Sequence, residues 1–342
     1  MDGILIVDKP VGPTSHDIVA LVRRLAATKR VGHGGTLDPF AGGVLPVFLG
    51  RATRMLEYHL GDPKSYRATV CFGASSTTDD LDGELTPLDQ PAPDRATVEA
   101  ALEAFRGRIT QVPPAYSAIK VAGRRAYALA RAGEPPVLAP RQVTIERLEL
   151  VAWDDTDPAR PIATIEVDCS AGTYIRALAR DLGRAVGSAA YLGGLVRTAS
   201  GPFRLAEAHP LEEIRAAAAA GPDALAALLL RADAGLEAWP ALTLAPHELA
   251  AIAQGRLVRP AAGLPVAPPG TRFRVLDGEG RLAAIAVVRD GRLAPEKVFL
   301  EPAAPDAPVG DPPLPLVEAA LLAERDPDPE LDPDPASPDD DA

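Results

Sequence analysis

Two cysteines, five lysines and no uncharged apolar run of about 18 residues describe what this chain of 342 residues goes without. Cys71 and Cys169 each sit inside an apolar, strand-like run, which predicts buried thiols and excludes a disulfide framework. The missing apolar run excludes a transmembrane helix, and the opening Met-Asp-Gly lacks the basic and apolar segments of a signal peptide. The expected address is therefore cytoplasmic, with no membrane partner. No cysteine or histidine cluster has metal-ligand spacing and no cofactor motif occurs, so neither a metal nor a cofactor is expected. With so few lysines among 35 basic residues, guanidinium chemistry dominates wherever positive charge gathers. No tandem repeat is present.

Charge is uneven along the chain. The net charge of -12 would argue against a nucleic-acid partner, but residues 303–342 hold 12 acids and one arginine. The remaining body, with 35 acids and 34 basic residues, is close to neutral. Proline and self-repelling charge in that tail predict disorder. The length predicts about two domains, here placed at 1–238 and 241–302 because the composition changes at Trp239-Pro240.

The most informative segment is Gly32-His33-Gly34-Gly35-Thr36-Leu37-Asp38-Pro39, a loop built for close backbone approach. Pro39 biases Asp38 toward extended backbone, presenting its carboxylate at a loop edge. Alone, such a turn reads as an aspartate bonding its own backbone; the surrounding residues change that reading. A strand over Gly3–Asp8 leads to a helix with Ile18, Leu21, Val22 and Leu25 on one stripe behind a Thr14/Ser15 cap. Tyr66, Ala68, Val70 and Phe72 alternate onto one strand face. Asp79, Asp80 and Asp82 precede Gly83 without the distal glutamate of a calcium loop, and read as an acidic turn. Val98, Leu102 and Phe105 mark a helix capped by Asp94.

Between Ala104 and Gly133 stand Arg106, Arg108, Lys120, Arg124, Arg125 and Arg131 with no acid among them, interleaved with Tyr116 and Tyr127. That mixture suits phosphates and stacked bases. Strands over 143–153 and 162–169 lead to a helix burying Ile175, Leu178 and Leu182, with Arg176, Arg180 and Arg184 on its other face. A cation at the start of a helix opposes the dipole, so Arg176 must be required by something else. The stretch 189–203 reads as broken at Gly193-Gly194, resuming through Leu195 and Val196 to Arg197. An alanine-rich helical region follows over 211–236, then hairpins over 272–288 and a turn at Asp290-Gly291.

A carboxylate on a rigid loop, an arginine at a helix start and a tyrosine at a strand start can act together at a sugar carbon. Asp38 would be nucleophile or base, with Arg176 as a bidentate partner lowering its pKa. Tyr66 would stack on a base while its hydroxyl handles a proton, and His33 would help fill the gap left by an extruded base.

In order along the chain, Gly3–Pro10, Val31–Pro39 with Ala41–Pro46, Lys64–Ala68, Pro113–Lys120 and Gly172–Leu178 resemble the motifs of the bacterial TruB family of tRNA pseudouridine-55 synthases. The resemblance covers Gly3 to about Phe203. It implies an α+β pseudouridine synthase fold, a mixed, mostly antiparallel central sheet flanked by helices, with an RNA-gripping insertion at about 106–142. It implies Asp38 as the essential aspartate, Arg176 as its salt-bridge partner, Tyr66 as the base-stacking tyrosine and His33 in the vacated stack. Lys9, Tyr174 and Leu195 match pocket-lining positions. Residues 241–302 resemble, less closely, a PUA RNA-binding domain.

The implied reaction is isomerisation of one uridine in the T loop of tRNA by a monomer, without cofactor, metal or protein partner. RNA binding should rest on shape and phosphates, and six cations each meeting a phosphate would give a log-log salt slope of about -4 to -5. Two rivals remain: a non-catalytic RNA-binding or RNA-folding protein, for which Asp38 is dispensable, and a base-exchanging transglycosylase or nucleoside hydrolase.

Overall fold

Gly3–Lys9 is almost wholly buried and pairs antiparallel with Ala41–Leu49, a strand buried at every residue. Strands covered on both faces read as continuous apolar runs, and these two do. In a computed structural model of the chain, residues 1–117, 119–121, 123–134 and 136–300 are described, without the side chains of residues 120, 125 and 131. The acidic tail expected to be disordered lies outside the described residues.

Ten strands among the described residues form the central sheet. Its order is 209–210, 3–9, 41–49, 190–200, 64–72, 162–169, 141–154 and 107–111, with 31–33 added to 41–49 and 203–204 to 190–200. The pairs 3–9 with 209–210 and 41–49 with 190–200 are parallel and the rest antiparallel, the mixed sheet expected. On it lies the helix Ser15–Leu25, which buries Ile18, Val19, Leu21 and Val22. Thr14 caps this helix, its hydroxyl accepting from the Asp17 amide at 3.1 Å while the Asp17 carboxylate accepts from the Thr14 amide at 2.8 Å. The arginine helix, Ile175–Ala185, buries the predicted Ile175, Leu178 and Leu182. Asp94 caps the helix Arg95–Ala101, as predicted.

Two expectations are corrected. Gly193-Gly194 does not break its segment: Ala190–Ser200 is one strand, with an irregularity between Leu192 and Gly194 where it pairs with Lys64–Phe72. The glycine is there for steric reasons, since a Cβ at residue 193 would lie 2.5 Å from Cys71 Sγ on the neighbouring strand. The alanine-rich region is two short helices, Leu211–Ala220 and Pro222–Ala227, because Gly221-Pro222 interrupts the first and no helix continues beyond Ala227.

The C-terminal segment forms a four-stranded sheet ordered Ala241–Thr243, Arg272–Leu276, Leu282–Arg289 and Arg292–Val298. Asp290 and Gly291 both have positive φ, as a two-residue type I′ turn demands. Phe273, Val275, Ala284 and Leu293 lie in this sheet's own core. A separate apolar cluster joins its Ile285 and Phe299 to Ile4, Phe48 and Met55. Burying such side chains contributes about 1.5–3 kcal/mol each. Polar ties flank that cluster: Arg54 donates to the Val298 carbonyl at 2.5 Å, Arg51 donates to the Phe299 carbonyl, and Lys297 pairs with Glu57 at 2.8 Å. No helix among the described residues is long and apolar enough to cross a membrane.

Candidate active site

The Asp38 loop is held from three sides. From the first helix, Ser15 Oγ accepts from the Leu37 amide at 2.8 Å and donates to the Leu37 carbonyl at 3.0 Å. From the first strand, the fully buried Lys9 ammonium donates to the carbonyls of Ala41 at 2.7 Å and Pro10 at 2.9 Å, with Pro39 at 3.5 Å. From the strand Ala190–Ser200, the Arg197 guanidinium, 1% exposed, donates to the carbonyls of Val44 at 2.7 Å, Gly35 at 3.0 Å and Thr36 at 3.4 Å. Gly43, at φ +97, lies so close to Arg197 that a Cβ would collide with the arginine's backbone carbonyl. Two buried cations and a serine thus fix a loop that has few side chains of its own to pack.

Asp38 stands at the mouth of this arrangement, its side chain 38% exposed, with Oδ2 3.1 Å from Arg176 Nε. The contact departs from the expected bidentate fork. Arg176 is only 6% exposed and divides its guanidinium: Nη1 lies 3.1 Å from Asp80 Oδ2 and donates to the Thr78 carbonyl at 3.1 Å, while Nη2 donates to the Tyr116 carbonyl at 3.0 Å. The Nε–H is poorly aligned for a hydrogen bond to Asp38, so this contact is an ion pair. The pKa expectation is corrected too. Burial pushes the Asp38 carboxyl above its ordinary value, Asp80 and Asp82 add to the rise, and Arg176 and Lys9 only partly offset it.

Burial also raises the Tyr66 phenol, with Arg197 drawing it back and Asp38 adding to the rise. Tyr66 therefore keeps its proton at neutral pH, which weighs against a phenolate that removes a proton. It is in register with Arg197 on the adjacent strand. His33 is half-buried and its pKa is lowered by burial and by His16 and Arg197, so it is neutral. The His16 ring meets it edge-on with centroids 5.5 Å apart. Burial lowers Lys9 to about 8, against an upward pull from Asp38. Leu195 is buried opposite Ala41 and Ala68. Tyr174 caps the arginine helix, its ring 4.4 Å from the Arg141 guanidinium.

Lys9 and Arg176 act electrostatically on Asp38 and Tyr66 feels its charge, which brings those three of the expected residues together with it. The basic arm is less uniform. The acid-free stretch is bracketed by Glu103 and Glu134, and both reach in. Arg106 pairs with Glu103 and donates from Nε and Nη2 to the Leu148 carbonyl at 3.1 and 2.9 Å. Arg124 lies 4.0 Å from Glu134, while Arg108 is exposed. The side chains of Lys120, Arg125 and Arg131 lie outside the described set. Sequence reasoning missed Asp80, Gln111, Arg141 and Arg197 as site residues. Of these, Asp80 carried a signal, as one of three acids in a turn facing a helix that presents three arginines.

The fold recurs in solved structures. An H/ACA RNP bound to a substrate RNA containing 2′-deoxyuridine aligns at TM-score 0.65 with 23% identity, covering 88% of this chain and 86% of that one. A Cbf5-Nop10-Gar1 complex aligns at TM-score 0.65 with 24% identity, covering 88% and 85%. Residues 23–175 match the family model for TruB family pseudouridylate synthase, N-terminal domain. The tRNA pseudouridine synthase B of Pseudomonas fluorescens strain Pf-5 is 43% identical over 301 residues, 87% of this chain and 96% of the relative. That of Bradyrhizobium diazoefficiens is 42% identical over 300 residues, 87% and 85%. The chain belongs to the TruB family of pseudouridylate synthases.

Proposed function

We propose that this chain isomerises uridine to pseudouridine in tRNA, with Asp38 as the catalytic carboxylate and the uridine at position 55 of the T loop as its target. The C1′–N1 bond breaks, uracil turns within the pocket, and C1′ bonds to C5. C5 gives up its proton and N1 takes one, so composition is unchanged and no cofactor is consumed. The observation that carries this reading is the Arg176–Asp38 ion pair at 3.1 Å, on a loop pinned from three sides. Pre-fixed geometry of this kind lowers the cost of bringing a carboxylate to a ribose.

On this reading Tyr66 offers a ring face and a protonated hydroxyl to the flipped base, and neutral His33 fills the vacated stack. Tyr174, Leu195 and Lys9 bound the pocket. Arg108, Lys120, Arg124, Arg125 and Arg131 meet phosphates, whereas Arg106 mainly secures the base of the insertion. Residues 1–238 form the catalytic domain and 241–302 a PUA-like RNA-binding domain, a reading supported by the second sheet with its own core. The protein works as a cytoplasmic monomer on the T stem-loop.

The test supplies tRNA tritiated at uridine C5. Label release without free uracil, abolished in Asp38→Ala, supports the proposal. Free uracil, or release that persists in Asp38→Ala, rejects it.

A further inference from the structure

The entry to the basic insertion is fastened to the arginine helix at three points. Gln111, the last residue of the strand Gly107–Gln111, is 1% exposed and uses both ends of its amide on one residue. Its Nε2 donates to the Tyr174 carbonyl at 3.0 Å, and its Oε1 accepts from the Tyr174 amide at 2.8 Å. Tyr174 is the N-cap of the arginine helix and makes no side-chain cap of its own; the amide of a residue 63 positions away instead ties down both backbone groups of that N-cap residue. Beyond it, the Val112 carbonyl accepts from Arg180 Nη2 at 2.8 Å and the Tyr116 carbonyl from Arg176 Nη2 at 3.0 Å. Pro113-Pro114 stiffens the span between these ties.

We infer that Gln111 is a positioning residue that couples the RNA-gripping insertion to the Arg176–Asp38 pair. Force on the insertion reaches Arg176 through the Tyr116 carbonyl. The Gln111 clamp keeps the helix start in step with the strand that enters the insertion, so the guanidinium stays where it can face Asp38. Gln111 touches neither reacting atoms nor phosphates, and its effect passes through Arg176. The inference rests on the proposed isomerase activity.

The experiment compares the full chain with Gln111→Met, of similar length but without the amide, and Gln111→Glu, which keeps an acceptor and, as the neutral carboxyl that burial favours, one donor. Because misplacement by about 1 Å costs on the order of 100-fold in rate, kcat should fall at least about tenfold in Gln111→Met and less in Gln111→Glu. KM for tRNA should stay within about twofold, since the phosphate-binding cations are untouched. Around Asp38 the charged groups are Arg176, Lys9, Asp80 and Asp82. With Arg176 displaced, the Asp38 carboxyl should titrate at higher pH, read directly by carboxyl NMR without substrate. An additional Arg176→Lys substitution should then cost less than it does in the parent. A kcat loss with an unmoved Asp38 titration, or a raised KM at unchanged kcat, overturns the inference. If Gln111→Met fails to fold, the same two readouts on Gln111→Glu decide. Absence of pseudouridine in the parent chain itself would instead reject the isomerase reading, leaving the NMR titration to judge the coupling.

Discussion

Arg176 and Asp80 lie 3.1 Å apart with each side chain only 6% exposed, a closed ion pair behind the half-open one that Arg176 makes with Asp38. The guanidinium is therefore anchored by a carboxylate that substrate never needs to reach. Asp80→Ala should lower stability by about 3 kcal/mol, the usual cost of leaving a buried charge with part of its pairing gone. It should also reduce kcat. Urea unfolding and single-turnover assays check both, and an unaffected midpoint would show that Asp38 alone suffices as partner.

Asp38 works against the fold. Its folded-state pKa is raised, so the neutral carboxyl is the form that folding favours. That stability is complete below the unfolded-state value and is lost as pH rises through the folded one. Asp38→Asn, neutral throughout, should be inactive yet at least as stable as the parent at neutral pH. Melting temperatures of the two across pH 3–8, roughly the span in which carboxylates titrate, should diverge with rising pH in favour of the variant.

Activity should follow a bell in pH. The acid limb belongs to Asp38 and should lie above the ordinary aspartate value. The alkaline limb should fall near pH 8, where the buried Lys9 ammonium loses its proton and with it part of its hold on the Ala41 carbonyl. In Lys9→Met the alkaline limb should vanish and the plateau drop. A parent profile flat through pH 9 would remove Lys9 from the account.

Salt should distinguish Arg106 from Arg108. Arg106 is committed to Glu103 and the Leu148 carbonyl, so five cations remain, for a slope of about -3.5 to -4.5. Arg108→Ala should make that slope shallower by about 0.7–0.9. Arg106→Ala should leave the slope in place and lower the melting temperature.

What was legible in the sequence was local. Gly34, Gly35 and Pro39 advertise the Asp38 loop within eight residues, and alternation over Tyr66–Phe72 declares its strand face without reference to any partner. The partners of Arg197 and Gln111 lie far off in the chain, Val44 and Tyr174 respectively, and neither residue type is diagnostic. Gly193-Gly194 misled because small residues mark both breaks and close approaches; only the neighbouring Cys71 decides between them. Arg176 stands out in the sequence as a cation at a helix start, and the helix Ile175–Ala185 does begin one residue before it. The sharing of Arg176 among four partners, and the burial that raises the Asp38 carboxyl, come from packing that residue order does not carry.

The apolar cluster that places Ile285 and Phe299 against Ile4, Phe48 and Met55 has a further consequence. With an oily seam there and polar stitches on its flank, any hinging of one sheet away from the other would bare apolar surface to water.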